Sequence, residues 1–163
     1  MRLDETVRTA LLSIYEEMMW LSSRPNVTPG RARSWYTHVM AESLKRKIRV
    51  FTGLVSTRAL EPKADLRLEH HLRIQTSLSS LVAKHRDGKI VDPEEFIALI
   101  VKAESVHIVT REENYAAMRA KGNYKAAGIR LLKWKAVAPK RQNELWKAML
   151  RGKVANAKDY APV

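Results

Sequence analysis

SVHIVTREEN, residues 105–114, changes its period in the middle. Ser105 to Val109 alternates and is rich in β-branched residues, the pattern of a short strand. Thr110-Arg111-Glu112-Glu113 then forms a capping box. The threonine side chain accepts from a first-turn amide, and the glutamate three residues on reaches back to the threonine N–H. A strand therefore runs straight into a helix that carries Asn114, Tyr115, Met118 and Arg119, and Gly122 is placed to end it. This junction makes the chain α+β rather than all-α.

A strand needs a partner, and LRLEHHLRI, residues 66–74, is the best one in the sequence. With a period of two, Leu66, Leu68, His70, Leu72 and Ile74 point one way. Arg67, Glu69, His71 and Arg73 point the other. A leucine face should reject a histidine, so His70 is either a hydrogen-bonded core histidine or part of a site.

Helix dominates elsewhere. Val7, Leu11, Ile14, Tyr15, Met18 and Met19 recur at helical spacing over residues 4–22, with Asp4 near the start. Thr28-Pro29 opens a second helix expected to reach about residue 48. VFTGLV, 50–55, reads as a short strand or as that helix's tail, and EPKAD, 61–65, as a turn. Ser77 is placed to cap a helix carrying Leu78, Leu81, Val82 and His85, with RDGK, 86–89, as a turn. His85 beside Arg86 reads as a cation at a helix C-terminus. Asp92-Pro93-Glu94-Glu95 starts another helix, and Pro139 starts the last, anchored by Leu145, Trp146, Met149 and Leu150. The tail VANAKDYAPV has little core signal and reads as extended. The expected fold is thus α+β, mostly α-helical.

The chain has 163 residues and 45% hydrophobic residues, enough for a real core. No run of about 18 apolar residues marks a membrane span. The start lacks the pattern of a signal peptide. Absence of cysteine excludes disulfides and cysteine-ligated zinc. Together these give a cytoplasmic protein as the expectation.

The net charge is +13. A charge of that size favours a polyanion, and nucleic acid is the commonest. Its distribution is uneven. Residues 1–23 hold two bases and four acids, and 24–60 eight bases and one acid. Residues 61–121 hold ten of each, and 122–163 ten bases and two acids. This divides the chain into an N-terminal helical basic arm (1–60), a neutral core with a helical insert (61–121) and a C-terminal basic helical segment (122–163). The expected phosphate contacts are Arg31, Arg33, Lys45, Arg46, Lys47, Arg49, Arg73, Lys133, Lys135, Lys140 and Arg141. Trp134, between Lys133 and Lys135, is the expected base-stacking residue. There is no P-loop, no Gly-rich dinucleotide turn, no His-Glu-x-x-His and no nucleophile elbow.

An acidic-His-His element, a helical insert and an H-x-x-T-x-E-E-N element (His107 to Asn114) resemble the ββα-metal, or HNH, nucleases, and most of all their divergent phage-type members. The resemblance covers about residues 66–121. It departs from the family in lacking the usual proline after the histidine pair, where Arg73 and Ile74 stand, and the cysteine pairs of many members.

The resemblance implies a small ββα-metal centre flanked by the basic arms. It implies metal-dependent hydrolysis of phosphodiester bonds in DNA, with RNA as the second candidate, by a phage or mobile-element enzyme. One divalent ion is expected: Mg²⁺ first, with Mn²⁺, Ni²⁺ and Zn²⁺ as the others. Two registers stay open. In one, Glu69 binds metal and His70 is the general base. In the other, His70 binds metal and His71 is the base. Asn114 is the second ligand in both, and His107 orients the site or contacts phosphate. The rival reading is a non-catalytic nucleic-acid-binding regulator in which the histidine pair is structural.

Overall fold

The computed structural model describes residues 3–162. They form an α+β fold, mostly helical, with one small mixed sheet. The chain divides into two compact units, Met1–Ile48 with Arg73–Ala103, and Arg49–Leu72 with Glu104–Val163. These units do not coincide with the three stretches marked by charge. The insert between the strands carries an apolar stripe that packs on the N-terminal helices, and charge says nothing about that packing. No helix among the described residues is long and apolar enough to cross a membrane.

The first unit holds α1 (Glu5–Ser22), α2 (Pro29–Val39), α3 (Glu42–Ile48), α4 (Ile74–Gly88) and α5 (Pro93–Ala103). Its core joins Val7, Leu11, Ile14, Tyr15 and Met18 of α1 to Leu78, Leu81 and Val82 of α4 and to Phe96, Ile97 and Ile100 of α5. The caps at Asp4, Thr28 and Asp92 form as the sequence indicates. Three details differ. The helix from Pro29 breaks at Met40 and resumes as α3. α4 starts at Ile74, so Ser77 lies inside its first turn and is not its cap. His85 is fully buried rather than a surface cation. Its Nδ1 lies 2.8 Å from the Tyr15 hydroxyl and its Nε2 2.9 Å from the Glu95 carboxylate. Both ring nitrogens are satisfied, which is what burial of an imidazole requires.

The second unit holds β1 (Val50–Ser56), β2 (Leu66–His70), β3 (Ser105–Thr110), α6 (Arg111–Arg119), β4 (Leu131–Lys133) and α7 (Pro139–Leu145). The sheet order is β2-β3-β1-β4. β3 pairs antiparallel with β2 and parallel with β1, and β4 pairs antiparallel with β1. VFTGLV is thus a strand, not a helix tail. A bulge interrupts it at Gly53, whose φ is +78°. A Cβ there would meet the Tyr160 hydroxyl at 3.1 Å, so glycine serves both the backbone angle and the close approach.

One face of the sheet packs Phe51, Val55, Val106 and Ile108 against Trp134, Val137, Leu145, Met149 and Leu150. The C-terminal tail is not extended. Val154 is buried, Ala157–Tyr160 forms a 3₁₀ turn, and the Asn156 side chain bonds both the N–H and the C=O of Phe51 at 2.9 Å. β4 reaches only Leu54–Ser56 of β1, so Asn156 satisfies strand backbone that β4 leaves unpaired.

Candidate active site on the β2–β3 pair

β2, β3 and α6 follow one another as strand, antiparallel strand and helix, with β2 and β3 adjacent although 34 residues separate them. The register pairs Glu69 with His107 and His70 with Val106. Directly paired residues share a face, so Glu69 and His107 lie together and His70 lies on the opposite face, with Val106. α6 follows β3 without a linker because the Thr110 box forms. Thr110 accepts from Glu113 N–H, and Glu113 accepts from Thr110 N–H at 2.9 Å and from the Ser56 hydroxyl at 2.5 Å. Glu113 is buried by these bonds and serves the helix start.

His71 follows the end of β2. Its ring stacks on His107, with centroids 4.8 Å apart and 18° between planes. Its Nδ1 is 3.2 Å from the Ser105 carbonyl. A carbonyl only accepts, so Nδ1 carries the proton and the lone pair of neutral His71 is on Nε2. His107 is buried, with Nδ1 2.5 Å from Thr52 Oγ1, and Oγ1 is also 3.1 Å from the Val106 carbonyl. A hydroxyl has one proton. Given to Val106, it leaves Oγ1 to accept from His107 Nδ1–H, the assignment that satisfies both contacts. Tyr124 packs edge-on against His107 at 5.5 Å.

His70 is held differently. Its Nε2 lies 3.1 Å from Glu104 Oε2, the oxygen that also takes Arg49 Nε–H at 3.2 Å. Glu104 and Arg49 are buried, whereas the His70 side chain is 39% exposed. The structure thus splits the histidine pair: His71 joins His107, and His70 joins the Arg49–Glu104 ion pair.

Burial, followed by the nearby His71, pushes His107 down to about 4. The ordinary value is 6.5, so between pH 6.5 and 4 the unfolded chain binds a proton that the folded one does not. The neutral ring therefore contributes its full stability above pH 6.5, and this is lost as pH falls towards 4. The loss is on the order of 3 kcal/mol. Denaturant unfolding of the protein and of His107→Gln at several pH values checks this. Their stability difference should shrink across that window; a difference that stays constant with pH would rule out the buried neutral ring.

Asn114 is half-buried in the first turn of α6, next to the inward-facing Glu113 and one turn before Ala117. Among the described residues, no group of three or more His, Cys, Asp or Glu side chains is arranged to hold a metal ion. Glu69 is buried and Asn114 half-buried; a carboxylate and an amide oxygen are both donors that a Mg²⁺-like ion accepts.

Several residues expected to touch nucleic acid have other work. Trp134 is only 8% exposed and packs edge-on against Phe51 and Tyr160, so it is a core residue and not a stacking platform. Its basic neighbours Lys133 and Lys135 are exposed. Arg49 is committed to Glu104 in the interior and is not a surface phosphate contact. Arg141 is tied to Glu144 and to the carbonyls of Ala59 and Glu61. Arg33 and Lys45 are half-buried. Arg31, Arg46, Lys47, Arg73 and Lys140 are exposed, Arg46 in a surface pair with Glu42. By unit, the strand-bearing one has seventeen bases and eight acids, the helical one thirteen and nine. Most of the excess positive charge thus belongs to the unit that holds His70, His71 and His107.

Thr52, Glu104 and Tyr124 are the residues at this site that sequence reasoning missed. Their contacts span 34 to 55 positions or rest on a turn after α6, and no local pattern signals them. Thr52 lies within VFTGLV and Glu104 directly precedes SVHIV, so both touch segments that the sequence singles out, but nothing local points to their histidine partners. Compared with known proteins, the chain matches no family model, no curated protein and no solved structure.

Proposed function

We propose that the protein is a metal-dependent endonuclease of the ββα-metal type acting on DNA. One observation carries the reading. Two sequence elements far apart in the chain meet as adjacent antiparallel strands followed directly by a helix, with Glu69 and His107 in register and His71 stacked behind them. In this reading His71 is the general base. Its Nδ1–H is anchored on the Ser105 carbonyl, which leaves Nε2 to take a proton from the attacking water. Glu69 and Asn114 would hold the ion, which when bound polarises the phosphate. His107 backs the His71 ring as a neutral group, so it does not add a second positive charge beside the base. Exposed Lys133, Lys135 and Lys140 would hold the substrate backbone.

This assignment combines parts of both sequence registers. The pleat separates Glu69 from His70, so a base on the face of Glu69 must be His71. Incubation of supercoiled plasmid with the protein tests it. Nicking is expected with Mg²⁺ or Mn²⁺ and none with EDTA. Cutting that persists in EDTA would remove the metal from the mechanism.

A second reading has its own support. Glu104, shared by Arg49 and His70, is what a structural histidine would show, and a non-catalytic nucleic-acid-binding protein would need no more. Salt-sensitive plasmid retardation without nicking in any metal would favour it.

A further inference from the structure

α1 places one large apolar side chain off its buried stripe. Trp20 is 63% exposed, and Trp35 of α2 is also exposed. With Leu21, Glu16 and Glu17 they line an apolar-walled cleft of about 440 Å³ within the helical unit. Trp35 is fixed in place. Its Nε1–H donates to Glu17 at 2.7 Å, and the Ser13 hydroxyl donates to the other Glu17 oxygen at 3.1 Å. The Trp20 ring already attracts one cation, since the Arg24 guanidinium lies 5.3 Å from its centroid. Arg24 is not part of the cleft lining.

The charges around this cleft are unusual for the chain. It carries thirty bases and seventeen acids. Glu94, Glu95, Glu104 and Glu112 each have a cationic partner. Glu16 and Glu17 are in no ion pair among the described residues. Two indole faces with two carboxylates at their rim form a surface that attracts cations and repels phosphate. Indoles left open to water gain most when something covers them.

We propose that this cleft docks an arginine side chain carried on an apolar segment of a partner protein. Arginine suits it because a planar guanidinium stacks on indole and pairs with a carboxylate at its edge, while flanking leucines cover Leu21 and the ring bodies. Nucleic acid does not fit, because the carboxylates oppose it. No residue of the cleft belongs to the proposed active site, so the inference stands apart from the nuclease reading.

The test uses the full chain, with indole N–H signals of Trp20 and Trp35 assigned through Trp20→Phe and Trp35→Phe. The probe is the peptide Ac-Ala-Leu-Arg-Leu-Ala-NH2. Both signals should shift saturably, and those of Trp134 and Trp146 should not. Replacing the peptide arginine by glutamine should weaken binding roughly tenfold. Combined Glu16→Gln and Glu17→Gln should weaken it by a similar factor, with the circular dichroism spectrum unchanged. Equal binding of the glutamine peptide would overturn the proposal in favour of a plain apolar groove. Shifts that depend on protein concentration without peptide would overturn it in favour of self-association. No shift at millimolar peptide would also overturn it.

Discussion

His71→Ala should cut metal-dependent plasmid nicking by about 10²–10⁴-fold, the range a positioned general base supplies. That corresponds to about 3–5 kcal/mol of transition-state stabilisation. Affinity for the plasmid should stay within about twofold, because in this reading His71 acts on the attacking water and the lysines carry the phosphate contacts. His70→Ala makes the comparison informative. His70 lies on the opposite pleat face from Glu69 and touches Glu104, so its loss should act through packing and lower the rate far less. His107→Ala should fall between them, because it removes the ring on which His71 stacks but not the anchor of His71 on Ser105. Single-turnover nicking at saturating protein separates rate from binding. An inactive His70→Ala beside a fully active His71→Ala would move the base to His70 and restore the first sequence register.

The two registers could not be separated from sequence because the answer depends on pleat and strand end together. Alternation places Glu69 and His71 on one face and His70 on the other, and the structure keeps that assignment. What alternation cannot supply is the partner on each side. His70 meets Glu104 and His71 meets His107, each more than 30 positions away. The helix starts were legible because caps are local: Asp4, Thr28, Asp92 and Thr110 all accept from their own first turns. The β3–α6 junction was legible for the same reason. The break at Met40 was not, since no proline or glycine marks it. The insert's place in the core of the helical unit was hidden too, because an apolar stripe announces burial but not against what. His85 shows the same limit. Its helical position was visible, but the Tyr15 and Glu95 contacts that satisfy it when buried come from other helices.

Charge patterning misled most at Trp134, and there the structure makes its second large prediction. Lysines on both sides gave the indole the look of a nucleic-acid platform. In the fold, the lysines point to solvent while the ring fills the space between Phe51 and Tyr160, at 5.5 and 5.8 Å from their centroids. Trp134→Ala should therefore cost about 3–5 kcal/mol, the usual loss for a large buried aromatic. Against a typical total of about 5–15 kcal/mol, that is a large share. The strand-bearing unit should melt at least roughly 12 °C lower, and Trp134→Phe should recover much of the difference. Lys133→Ala with Lys135→Ala should do the reverse. Stability should hold, and the slope of log affinity against log salt should fall by about two, one for each phosphate that a lysine no longer neutralises. Thermal denaturation followed by near-UV circular dichroism and plasmid binding at several salt concentrations measure both effects. An unchanged melting temperature with lost nucleic-acid affinity in Trp134→Ala would return the indole to the surface role suggested by its neighbours. It would also count against the packing of the sheet on the C-terminal segment, since Trp134 joins Phe51 to that segment.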